Sequence, residues 1–213
     1  MKKAMILLGL SIITLTVCAQ QGATTDNGKR VILNDNGTWK YDSLVVPAPE
    51  STEADLATYP TFTKPAGSKA LLRSQKTNAG LWYNAALWKK SDNPFSEAAE
   101  FTLLTKNSEA FCMVISERIQ IPYEMFRDAV ITNGKKTTSE FKVLNEEYRN
   151  VNGNKIKAIT AKATKSGVNF VFTYYLHSSE KGTTQVVVYT SENLYAENKQ
   201  RFEELLNGFV IIR

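Results

Sequence analysis

One histidine and two cysteines are all that 213 residues hold of two residue types on which much catalysis and most structural zinc sites depend. Cys18 lies in an N-terminal segment expected to be removed, which leaves Cys112 and His177. Two ligands do not fill a four-coordinate zinc site. No GxSxG elbow accompanies His177, and the neighbouring Ser178-Ser179 brings no visible orienting acid or oxyanion site. His177 therefore reads as a solvated loop residue. No Walker or GxGxxG segment is present, so no nucleotide cofactor, and no cofactor of any other kind, is expected. Like-charged runs are also scarce. The 26 basic and 21 acidic residues give a formal +5 and are interleaved along the chain. Lys155, Lys157, Lys162 and Lys165 come nearest to a basic stripe, and a solvated strand edge accounts for them as well. Nucleic acid is not an expected partner.

Long apolar runs are few. Residues 4–17 follow Met1-Lys2-Lys3 and fall short of the ~20 residues that span a bilayer. Val17-Cys18-Ala19 then offers small residues at −3 and −1 for cleavage before Gln20, which completes a secretory signal over residues 1–19. Leu15-Thr16-Val17-Cys18 also resembles a bacterial lipobox, with Val17 where that pattern has Gly, Ala or Ser. Lipidation at Cys18 is the alternative processing route. Either route places the mature chain outside the cytoplasm, periplasmic or extracellular, with no transmembrane segment after signal removal. Cys112 sits in the apolar run Ala110-Phe111-Cys112-Met113-Val114-Ile115 and reads as a core residue.

Proline is scarce too, and four of the six fall in residues 43–68, which read as a semi-extended linker. Before it, residues 20–28 read as a polar leader. Residues 29–42 read as a β-hairpin turning at Asn36-Gly37, within a segment 20–42. That hairpin resembles a short module common near the N-terminus of exported bacterial proteins.

Residues 69–213 carry the main domain. Strands are expected over 81–88, 98–105 and 109–117, and a helix opens at Ile121-Pro122 and ends at Asn133-Gly134. Two hairpins follow, over 141–164 and 168–190. The first turns at Val151-Asn152-Gly153-Asn154 and the second at 177–182. A closing helix near 195–207 is capped at Gly208. Consecutive hairpins require an antiparallel sheet, and segregated helices make the class α+β.

Three stretches carry a family resemblance over roughly residues 70–212. Phe111-Cys112-Met113-Val114-Ile115-Ser116-Glu117 runs into the first helix. Val151-Asn152-Gly153 forms the tip of the middle hairpin. Gln185-Val186-Val187-Val188-Tyr189-Thr190 precedes the closing helix. Together they resemble the Mog1/PsbP-like superfamily, which implies an α/β/α sandwich with an antiparallel sheet between helices. The resemblance also implies a non-enzymatic partner or accessory factor: one branch binds a small GTPase and another assists a photosynthetic complex. No partner-binding residue of either branch matches this chain.

Two groups of side chains offer function. An unbroken strand over 81–88 puts Trp82 and Trp88 on one face and Leu81, Tyr83 and Leu87 on the other. With the leucines inward, Trp82 and Trp88, with Tyr83 nearby, form a surface for an envelope protein, a glycan or a hydrophobic ligand. The alternative buries them beneath a helix or beneath the 29–42 hairpin. The adjacent pairs Glu146-Glu147 and Glu203-Glu204 point apart. Glu100, Glu117 and Glu147 converge only if the sheet brings them together, which a hydrolase acting on glycan or peptide would need. The sequence favours an exported, non-enzymatic binding or accessory module over that hydrolase, and leaves the oligomeric state open.

Overall fold

The computed structural model describes residues 21–24, 30–33, 39–41 and 53–212. The signal segment, Cys18, the Asn36-Gly37 turn and residues 43–52 of the expected linker lie outside the described residues. The chain divides into two units, residues 1–46 and 47–213.

In the first unit, β1 (Gln21–Thr24), β2 (Arg30–Leu33) and β3 (Trp39–Tyr41) form an antiparallel sheet with β2 central. The expected hairpin strands pair with Val31 opposite Tyr41 and Leu33 opposite Trp39. The expected leader instead supplies a third strand, pairing Gln21 with Leu33 and Thr24 with Arg30. It satisfies the backbone groups along the second edge of β2, which a two-stranded ribbon leaves open.

The second unit opens with α1 (Glu53–Thr58) and β4 (Thr61–Phe62), inside the segment that reads as linker. Then come β5 (Ala70–Arg73), β6 (Ala79–Tyr83), β7 (Trp88–Lys90), β8 (Phe101–Thr105), β9 (Ala110–Glu117) and α2 (Tyr123–Thr137). The chain continues through β10 (Ser139–Val151), β11 (Asn154–Lys165), β12 (Val168–Ser179), β13 (Gly182–Ser191), α3 (Glu192–Leu206) and β14 (Phe209–Ile211). The class is α+β. An eight-stranded sheet runs β4-β10-β11-β12-β13-β9-β8-β7, and a three-stranded sheet runs β14-β6-β5. All pairings are antiparallel except β4 on β10, which is parallel. No helix among the described residues is long and apolar enough to cross a membrane.

Both faces of the large sheet are covered. On one, Phe126 and Val130 of α2 pack on Ile159, Ala161, Tyr174, Leu176 and Val187. On the other, Phe202, Leu205 and Leu206 of α3, with Leu81 and Phe209 of the small sheet, pack on Ile156, Tyr175, Val186 and Val188. Both faces of β12 are buried: Tyr174 and Leu176 lie under α2, and Val171, Thr173 and Tyr175 are buried as well, because the small sheet and α3 close that side. Cys112 is fully buried among these residues. Burial pushes its thiol well above the ordinary range, so it stays protonated.

Two helix ends differ from expectation for one reason. Gly134 does not end α2, which runs on to Thr137, because Gly134 is buried where the Phe141 ring lies against it and leaves no room for a Cβ. Gly208 is not a left-handed cap either. Asn207 caps α3 in helical geometry. A Cβ on Gly208 would strike the Trp82 carbonyl oxygen. Both glycines serve close approach.

Candidate functional site

The expected strand over 81–88 is broken, and with it the shared indole face. Asn84 folds the chain back: its carbonyl accepts the Leu87 and Trp88 amides at 3.0 and 2.9 Å, and its Oδ1 accepts the Ala86 amide at 2.9 Å. β6 then joins the small sheet and β7 the large one. Trp88 is 2% exposed and packs 6.3 Å from the Phe202 ring beneath α3. Trp82 and Tyr83 remain half-buried. A period-2 reading holds only along one unbroken strand.

The polar and aromatic side chains gather instead at the end of the large sheet where β10 turns into β11. Asn152 and Gly153 form the turn, with φ of 52° and 80°, the positive pair a two-residue hairpin needs. Asn152 also ties this tip to the C-terminal segment. Its Oδ1 accepts the Lys64 amide at 2.7 Å, and its Nδ2 donates to the Asn207 and Phe209 carbonyls at 2.8 and 2.7 Å.

Two lysines flank the tip, each with its ammonium against aromatic rings. Lys64 Nζ lies 5.2 Å from the Trp82 ring and donates to the Ser68 carbonyl. Lys155 Nζ lies 4.7, 5.5 and 5.7 Å from the rings of Tyr148, Tyr123 and Tyr59. The tyrosines also pack together, Tyr148 at 5.4 Å from Tyr59 and 5.9 Å from Tyr123. These are cation–π distances. Among the described residues, neither ammonium pairs with a carboxylate. Tyr148 donates to Glu124 at 2.9 Å, and burial, then that bond, raise its hydroxyl above the ordinary range.

Around this patch the charges are matched. Arg127 grips Glu146 through two nitrogens at 2.5 and 2.9 Å, and Lys157 stands 3.5 Å from the same carboxylate. The Arg127 bond, working against burial, holds Glu146 below the usual carboxylate range. On the opposite face, Arg149 binds Glu203 at 2.7 Å, Glu147 at 2.5 Å and the Tyr175 hydroxyl at 2.5 Å, and lies over the Phe62 ring. Burial opposes its charge, and Glu203, Tyr175 and Glu147 together more than offset that.

The lysine stripe is not a strand edge, since β11 lies between β10 and β12. Lys157 is buried against Glu124 and Glu146, and Lys162 pairs with Glu192 at 2.6 Å. Nor do the three carboxylates converge. Glu147 on β10 and Glu117 on β9 are four strand spacings apart, about 19 Å, against the ~5–10 Å of a glycosidase pair. Glu100 accepts from the Ser74 hydroxyl at 2.7 Å and the Gln75 amide at 2.5 Å. Among the described residues no three of His, Cys, Asp and Glu gather as a metal-ligand set.

His177 is not in a loop. β12 runs on to Ser179, and the two-residue turn that follows leaves His177 paired with Thr184. Its Nδ1 donates to the Lys155 carbonyl at 3.1 Å, and its ring packs 5.4 Å from Phe209. A cavity of about 10 Å³ between the sheets, lined by Leu72, Ser74, Phe101, Thr184 and Phe209, has room for one water and no ligand.

Part of this site was legible in advance. Counting back from an Asn152-Gly153 turn pairs Asn150 with Lys155 and Tyr148 with Lys157, as observed. No local signal brings Tyr59 or Tyr123 to them.

The fold is similar to that of PsbP and Mog1. Cyanobacterial PsbP from Synechocystis shares 12% identity at a TM-score of 0.49, covering 69% of this chain and 94% of its own. The Ran-binding protein Mog1p of Saccharomyces cerevisiae shares 10% at 0.48, covering 67% and 95%. LpqN of Mycobacterium tuberculosis, described as involved in cell envelope biogenesis, shares 11% at 0.35, covering 78% and 100%. No protein-family model and no curated protein matches the sequence. The likeness is one of fold alone.

Proposed function

We propose that this chain is an exported, non-enzymatic binding or accessory module of the bacterial envelope, and that it binds through the β10–β11 end of its large sheet. The observation that carries the reading is the pair of lysines held against aromatic rings with no carboxylate partner among the described residues, Lys64 on Trp82 and Lys155 on three tyrosines. A ligand that brings both flat apolar groups and negative charge, from an envelope protein or a glycan, gains ring contact and an ion pair at once. Beside this face Arg127, Arg149 and Lys157 each hold a carboxylate, as does Lys162 farther along β11, while Lys90 lies over the single ring of Phe101 on the far edge strand. Export rests on the pattern of residues 1–19.

Trp82 stays in the proposed face. Trp88 leaves it, because the turn at Asn84 sends that ring into the core, and Tyr83 is left out because it packs against the same core cluster. The test is cross-linked affinity capture from the native envelope, read by mass spectrometry. Wild type is run beside Lys155→Glu, Trp82→Ala and the remote control Lys136→Ala, each first shown to keep wild-type circular dichroism. A species retained by wild type and the control, and lost from both site variants, is the expected result. A retained set that does not differ among the four proteins overturns the reading.

A further inference from the structure

His177 carries an unusual burden for a residue outside any catalytic arrangement. Its Nδ1 donates to the Lys155 carbonyl, so in the neutral ring the second nitrogen, Nε2, is the one without a proton. That nitrogen is buried and, among the described residues, has no hydrogen-bond partner. Several segments meet at this ring. Tyr123, the first residue of α2, donates its hydroxyl to the same Lys155 carbonyl at 2.8 Å and stands 3.4 Å from Nδ1. The next residue, Ser178, donates its hydroxyl to the Ile121 carbonyl at 2.6 Å, and its amide points to the Tyr123 oxygen. Phe209 of β14 packs on the ring itself.

The groups around the imidazole favour its neutral form. From α2 it meets the phenol of Tyr123, from β11 a peptide carbonyl, from β13 the paired Thr184 and from β14 a phenyl ring. Lys155, whose carbonyl takes the Nδ1 bond, turns its ammonium onto the Tyr123 ring. A proton on Nε2 would create a buried N–H with no acceptor, in a place where charge is costly.

We propose that His177 is an acid-sensitive latch. Neutral, it clamps the first turn of α2, the start of β11 and strand β14 onto the end of β12. Protonated, it releases β14 and the α2 entry. Burial already holds the imidazole below its ordinary value of 6.5, with the Lys155 carbonyl bond offsetting part of that. Between 6.5 and the lower folded value, the opened chain binds a proton that the closed chain does not. Closure is therefore favoured fully above 6.5 and weakens as pH falls below it. Tyr123 and Lys155 also belong to the proposed binding face, so release loosens that face; the test below reads the latch alone, whether or not the face binds anything.

His177 is the chain's single histidine, so one imidazole signal reports it. The experiment is a nitrogen-15 NMR titration of that ring in the intact protein from pH 8 to pH 4. Amide hydrogen exchange is followed at residues 209–211 and, as a reference, at Val171 and Val187. The expected result is a neutral Nδ1–H tautomer at pH 7 and a midpoint below 6.5. Protection factors at 209–211, corrected for intrinsic rates, should drop about tenfold relative to the reference for each unit of that depression exposed by acid. In His177→Phe, which keeps a ring against Phe209, the pH dependence of that protection disappears. A midpoint at 6.5 with protection unchanged across the range overturns the latch, and the wild-type data decide this even if the variant does not fold.

Discussion

Arg149 shows how a single side chain joins segments far apart in sequence. Its guanidinium holds Glu203 of α3, Glu147 of its own strand and the Tyr175 hydroxyl, and lies 4.7 Å from the centroid of Phe62 in β4. Its side chain is 12% exposed, while Glu147 and Glu203 keep 34% and 33%. Removing one partner of a buried pair costs about 3–5 kcal/mol. The water that reaches both carboxylates lowers the expected cost of Arg149→Ala to about 2–3 kcal/mol. Arg149→Lys should recover only part of this, because an ammonium does not reproduce a planar fork that binds two carboxylates and stacks on a ring. Urea denaturation of the three proteins checks the order wild type, then Lys, then Ala. Equal midpoints for Lys and wild type would show that charge alone is what counts at this position.

Elements were legible where their cause is local and hidden where it is not. The β10–β11 and β12–β13 hairpins, the Pro122 entry to α2 and the antiparallel class follow from turn residues and periodicity. The break at Asn84 was not legible, because Leu81 to Trp88 looks continuous in hydrophobicity and only the Gly208 and Trp82 backbones show that β6 belongs with β14. The linker reading missed β4 because two residues pair in parallel with a strand some ninety positions later, at Asn150 and Val151. The tyrosine cluster was hidden for the same reason. Gly208 turns this into a prediction at the α3–β14 junction. The Trp82 amide donates to the Gly208 carbonyl at 2.9 Å, and the Trp82 carbonyl fills the space a Cβ would take. Backbone cannot swing aside as a flexible side chain can, so Gly208→Ala should cost about 1–3 kcal/mol. It should also alter the near-ultraviolet dichroism of Trp82, whereas a cap glycine would lose stability with that signal unchanged.

For the whole molecule, acid should act in two separable windows, since its buried and bridged groups titrate in different ranges. The upper window belongs to His177, which loses stabilising effect as pH falls below 6.5. The lower one belongs to Glu146, held beneath its ordinary value of 4.5 chiefly by the Arg127 hydrogen bonds. A depressed carboxylate contributes stability that is complete above 4.5 and is lost as pH falls through its lower folded value. Thermal unfolding of wild type should therefore show a first fall in midpoint beginning near pH 6.5 and a second, steeper fall beginning near pH 4.5. Glu146→Gln keeps the shape of the side chain but removes the charge, so it should lower the midpoint at neutral pH and flatten the second fall while leaving the first in place. His177→Phe should do the reverse. Tyr123 and Lys157 lie between the two groups, through Lys155, Tyr148 and the carboxylate itself, so the double variant need not be the sum of the singles. A single acid transition in wild type that Glu146→Gln abolishes entirely would mean that the sheet end opens as one unit, with the ion pair rather than the imidazole setting its limit.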